Sequence, residues 1–142
     1  MNCDGVFPTV TVVLDTSGRR FGGYSTKSWS QSPAGASYSR APDSFIFNLS
    51  QKKKYYLKDQ MESNAVYRHN SYGPTFGGGH DLYLANSCRS NNNSYCNKSS
   101  NLTENVNLLG SGGSTNFQVS SYEVYQVIFE WDRNEKNKKI HI

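Results

Sequence analysis

His80 and Asp81 are the residues whose types point most directly to chemistry. An imidazole beside a carboxylate, next to the flexible run Gly77-Gly78-Gly79, can act as a general base when a substrate comes within hydrogen-bond reach. Neighbouring strand residues point to opposite faces, so the two are poorly placed to orient each other. The plainer role is an Asp81 carboxylate that fixes the loop by capping glycine amides. Glu123 stands between Tyr122 and Val124 in an apolar stretch, facing with Tyr125 and Val127 toward an expected buried surface, where a carboxylate must find partners. It is read either as a hydrogen-bond anchor or as a polar group at a site, and Ser94 or Ser111 would complete a Ser/His/Glu set. No G-x-S-x-G elbow supports that set, and Gly110-Ser111-Gly112-Gly113 lacks a strand-to-helix setting. No catalytic residue is assigned; His80, Asp81 and Glu123 stand as candidates only.

Other reactive types carry less. Neither glycine run is followed by Lys-Ser/Thr or a helix start, so neither cradles phosphate. Cys3, Cys88 and Cys96 form no C-x-x-C pair and are expected as reduced thiols. Cys88 and Cys96 fall in an Asn/Ser-rich loop open to oxidants, but no fixed cation stands near to lower a thiol pKa. His69, His80 and His141 are too scattered for a metal, and no metal or cofactor is expected.

The elements that must position these residues read as short strands. A chain of 142 residues supports one core, and ten Tyr with seven Phe supply the area to fold it. In Val6–Leu14, Val10, Val12 and Leu14 share one face and Phe7, Thr9, Thr11 and Val13 the other. Asp15-Thr16-Ser17-Gly18 is turn chemistry, and Arg19–Ser25 returns as the second arm of an antiparallel hairpin. Thr26–Pro42 reads as a long loop anchored by Trp29 and Tyr38. A strand begins at Ser44 with Phe45, Phe47 and Leu49 on one face; Ser50 to Lys54 turn the chain, and Tyr55 opens the next strand. Shorter strands are expected at Ala65–Arg68 and His80–Ala85. Ser87–Thr103 reads as a second exposed loop. Its small polar residues, with an occasional Tyr, suit partner recognition, so Asn91, Asn93 and Tyr95 are the candidate partner contacts. Phe117–Trp131, apolar on both faces, reads as a central strand buried on both sides. The sum is a mostly β chain, an antiparallel two-sheet β-sandwich with a few short peripheral helices, over residues 1–131, followed by a charged tail at 132–142.

The net charge of +4 comes largely from Lys52, Lys53, Lys54, Lys58 and the stretch Arg133 to Lys139, beside turns rather than along an aromatic stripe, so nucleic acid is not expected as a partner. Without a signal-like start or an apolar run of bilayer length, direct membrane insertion is not expected and cytoplasmic residence is.

Phe21-Gly22-Gly23-Tyr24 with Trp29, Ser44 to Leu49 including Phe45 and Phe47, Tyr72-Gly73-Pro74-Thr75-Phe76-Gly77-Gly78-Gly79-His80-Asp81-Leu82, Ser94-Tyr95, and Phe117 with Tyr122 to Val127 including Glu123 occur in one order. Together they resemble the TLDc domain family, the oxidation-resistance type, with the family's usual N-terminal segment missing. The resemblance implies a two-sheet β-sandwich belonging to a longer multidomain protein, and a non-enzymatic module tied to oxidative-stress protection and to binding the vacuolar-type proton-pumping ATPase. The alternatives are a hydrolase using the Ser/His/Glu set and a carbohydrate-binding sandwich.

Overall fold

The computed structural model describes residues 3–58, 61–97, 108–109, 115–132 and 137–141. Alternation of β-branched residues makes β1 (Thr9–Asp15), and Gly18, at φ +85°, lets the chain reverse into β2 (Arg20–Ser25). Asp15 locks that turn. Its carboxylate accepts from the amides of Ser17 and Arg19 and pairs with the Arg19 guanidinium at 2.6 Å, which also donates to the Leu109 carbonyl.

Then follow β3 (Ser37–Ser39), β4 (Phe45–Asn48), β5 (Lys53–Tyr56), β6 (Val66–Arg68), β7 (Thr75–Phe76), β8 (Leu82–Tyr83), β9 (Ser94–Cys96), β10 (Thr115–Phe117), β11 (Val119–Gln126), β12 (Ile128–Asp132) and β13 (Asn137–His141). One sheet runs β11-β1-β2-β4-β5, the second β10-β9-β8-β7-β6-β3, and β12 with β13 forms a separate pair. Every pairing is antiparallel. The expected antiparallel sandwich is the architecture found; of the expected helices, the described residues contain one 3-10 turn at Glu62–Asn64.

The two inner faces meet in one core that includes Val13, Phe21, Ile46 and Tyr55 from the first sheet and Val66, Phe76, Leu82, Cys96 and Phe117 from the second. Phe21 meets Phe117 edge-on with centroids 5.0 Å apart, and Trp29 meets Phe76 the same way at 5.1 Å. A Cβ on Gly23 would overlap the Phe76 ring, and one on Gly22 would overlap the Thr11 carbonyl oxygen. These glycines therefore set how closely the sheets and strands approach.

Five expectations change. Phe117–Trp131 is not a central strand buried on both sides, because β11 lies at the edge of its sheet and mostly faces water. Of the loop expected over Ser87–Thr103, residues 98–103 lie outside the described residues, and 87–97 is not wholly exposed: β9 sits inside the second sheet, where it alternates inward Ser94 and Cys96 with outward Tyr95. The long loop after Ser25 contains β3, and Lys53 and Lys54 belong to β5 rather than to the turn before it. The strand expected from His80 is only Leu82–Tyr83, since His80 itself takes a left-handed φ of +60°.

Gly23→Ala is expected to lower stability by about 2 kcal/mol or more through overpacking against Phe76, read as a shifted urea midpoint. An unchanged midpoint would mean that the sheets do not close through this contact.

Candidate functional site

The second sheet turns its apolar residues inward, and period-two alternation then fixes what faces out. Each of four short strands carries one tyrosine at its outward position: Tyr38, Tyr67, Tyr83 and Tyr95. Register aligns them. Tyr38 is opposite Tyr67, and Tyr83 is opposite both Thr75 and Tyr95. The antiparallel step from the Val66–Phe76 pair puts Thr75 between Tyr67 and Tyr83.

Thr75 is too short to bridge that interval, and two loop rings close it. Tyr72 lies 5.8 Å from Tyr67 and 4.8 Å from Tyr83, while His80 lies 4.8 Å from Tyr67 and 5.8 Å from Tyr83. Thr75 is fully buried as a result. His69 stacks on Tyr72 at 4.2 Å and extends the group to seven rings. The loop that delivers His80 is tied down, because the Gly79 amide donates to the Tyr38 hydroxyl, Asn97 Nδ2 donates to the Gly79 carbonyl, and the Tyr95 hydroxyl lies 3.3 Å from His80 Nδ1. Gly77 and Gly79, at φ +87° and +86°, supply the turns that lead into it. A side chain at Gly77 would also strike the buried Asp81 carboxylate.

Burial tunes the face. It pushes the His80 pKa down, since the charged imidazolium loses water in the ring cluster. It pushes the phenols of Tyr83 and Tyr95 up, with neighbouring tyrosines adding to the effect. In His80, Tyr83 and Tyr95 burial therefore favours the neutral, hydrogen-bonding form of the ring. Most of the seven rings are half-exposed, and Tyr38 is 38% exposed, which leaves an amphipathic aromatic surface.

The Ser/His/Glu set is not brought together. His80 lies over the outer face of the second sheet; Ser94 is fully buried, its hydroxyl accepting the Ala85 amide at 3.0 Å. Glu123 is exposed beside Val12 on the outer face of the first sheet, not in a buried surface, because the edge position of β11 leaves it in water. Ser111 lies outside the described residues. Trp29 is core, its indole donating to Thr9 Oγ1 at 3.2 Å, and Gly22, Phe45 and Phe47 lie on the outer face of the first sheet.

Of the three candidate partner contacts, Tyr95 joins the aromatic row and Asn93 is exposed. Asn91 instead closes its own loop, donating to the carbonyls of Asn86 and Ser87. Cys88 and Cys96, expected in an open loop, are each 5% exposed, and desolvation raises both thiols, Cys96 to about 11. That makes them poor thiolates. Among the described residues no three His, Cys, Asp or Glu side chains converge as a metal site requires, and no helix is long and apolar enough to cross a membrane.

Sequence reading missed the aromatic face. Its signal is the repeated triplet with tyrosine in the middle, in Ser37-Tyr38-Ser39, Val66-Tyr67-Arg68, Leu82-Tyr83-Leu84 and Ser94-Tyr95-Cys96. The inward residues of each triplet would have marked the tyrosine as outward.

A family model described as TLDc domain matches residues 1–128 of the chain, and no curated protein matches it.

The low His80 pKa has a sign. The folded state prefers the neutral ring, so the stabilisation is complete above the usual value of 6.5 and is lost as pH falls through the folded value. His80→Asn keeps a residue that tolerates left-handed φ and removes the titration. Between about pH 7.5 and 5, the Tm of the wild type is expected to fall more steeply than that of His80→Asn; parallel curves would exclude a contribution from His80.

Proposed function

This chain belongs to the TLDc domain family, and from that premise we propose that it works as a non-enzymatic protein-interaction module whose partner docks on the tyrosine face of the second sheet. The observation that carries this reading is the seven-ring cluster. Tyrosines give large contact area at low entropic cost and a hydroxyl for hydrogen bonding, which is what binding hot spots use. Exposed Asn93 adds an adaptable polar group at the rim of this face, and Asn116, opposite Tyr95, is exposed there with its amide donating to the Asn92 carbonyl.

The separation of His80 on the outer face of the second sheet, Ser94 in the interior and Glu123 on the outer face of the first sheet supports binding over hydrolysis. The partner we propose, on family membership, is a subunit of the peripheral sector of the vacuolar-type proton-pumping ATPase, met in the cytoplasm. A link to oxidative stress would run through that partner, since the buried thiols of Cys88 and Cys96 are unsuited to sensing oxidants.

The test is affinity capture from a cell extract, with wild type, Tyr83→Ser/Tyr95→Ser and Glu123→Ala as baits. ATPase subunits should be retained by wild type and Glu123→Ala. The double tyrosine variant should lose at least about tenfold of the signal, as expected when two hot-spot side chains go. Equal retention by all three would sink the tyrosine face as the docking surface, and absence of ATPase subunits from every bait would sink the partner.

A further inference from the structure

The outer face of the first sheet is apolar across all five strands, with Gly22 and Phe47 buried at its centre, half-buried Val10, Val12, Tyr24 and Phe45 around them, and opposite charges at its two ends. Register defines one row as Glu123, Val12, Gly22, Phe47 and Lys54, running from β11 to β5. The next row is Tyr125, Val10, Tyr24, Phe45 and Tyr56. Phe45 binds the rows together, with ring centroids 5.4 Å from Tyr24, 5.9 Å from Tyr56 and 6.3 Å from Phe47. Lys54 Nζ sits 5.2 Å over the Phe45 ring. Tyr56 is 53% and Tyr125 38% exposed, so the aromatic row reaches water at both ends. A contiguous apolar surface of this kind on a soluble fold marks a contact site.

We propose that this face is covered by a second copy of the same chain. A two-fold axis in the interface, parallel to β2, turns the sheet over and lays β11 of one copy on β5 of the other. Glu123 then meets Lys54 of the second copy, and Lys54 meets its Glu123. Val12 lies over Phe47, Val10 over Phe45, and Tyr125 over Tyr56, with Tyr24 packing on itself at the axis. The row is thus self-complementary in charge and in character, as an isologous contact demands. Aligned packing of two twisted sheets supplies the geometry. Arg20, exposed at the end of β2, falls at the rim, where its charge stays in water. An acidic helix would satisfy Lys54 but leave Glu123 facing like charge, which is why the second copy is the better occupant. The tyrosine face lies on the other sheet and remains open, so the dimer would present two docking surfaces.

The experiment is sedimentation equilibrium over protein concentrations up to about 100 µM, with circular dichroism to verify that each exposed-site variant is folded. Wild type is expected as a concentration-dependent dimer. Lys54→Glu and Glu123→Lys each place like charges together at both ends of the interface and should weaken association by about tenfold or more. The exchange variant Lys54→Glu/Glu123→Lys restores the pairing and should dimerise like wild type. A wild type that stays monomeric throughout overturns the proposal. So does a dimer that both single reversals leave intact, since it must use another face, or an exchange variant that fails to recover.

Discussion

The ring of Phe76 occupies the space that a side chain at position 23 would fill, and the rest of the sandwich is built around that substitution of one residue's volume for another's. Close packing allows no such gap to stay empty and no second group to share it. Because β2 offers no Cβ there, the two-residue strand β7 can press Phe76 through to the first sheet and edge-on against Trp29. Trp29 in turn fixes its indole on Thr9, so the loop after β2 is held to the start of β1. A contact between residues 53 apart in sequence thereby sets the spacing of two sheets whose strands are mostly too short to hold together alone.

Once the inner faces are committed, the outer faces are no longer free choices. On the second sheet, each buried neighbour forces a tyrosine outward, and four strands in register turn isolated tyrosines into a row. The gap at Thr75 is filled by rings from loops, which explains why the left-handed turn at His80 is tied by three hydrogen-bonding contacts to Tyr38, Asn97 and Tyr95. Neither the row nor its repair uses a charged side chain, and burial keeps the histidine neutral. The same alternation gives the first sheet an outer face of aromatic and β-branched residues with a carboxylate at one edge and an ammonium at the other.

These two surfaces have different characters, and that difference bears on how the molecule works. The tyrosine face is polar at its hydroxyls and rimmed by asparagines, a composition suited to a partner that comes and goes. The face of the first sheet is drier and ends in opposite charges, a composition suited to lasting contact with something of like kind. A carboxylate and a histidine that look like catalytic parts in the sequence belong to separate surfaces, Glu123 to one and His80 to the other.

The sequence alone determined the sandwich, the first hairpin and the family, because alternation, turn residues and the blocks around Phe21-Gly22-Gly23, Phe45 to Phe47 and Gly77-Gly78-Gly79 are local signals that survive without knowledge of neighbours. It also marked Trp29 as an anchor of the loop after the first hairpin and showed no hydrolase elbow. It could not determine which strand is central, and β11 reads as doubly buried because apolar residues on both faces look the same whether covered by protein or left at an edge. The exposure of Glu123, the burial of Cys88, Ser94 and Cys96, and the gathering of seven rings were decided only by tertiary structure. Each depends on which strand lies beside which, and register between distant segments is a property of pairs that no single segment carries.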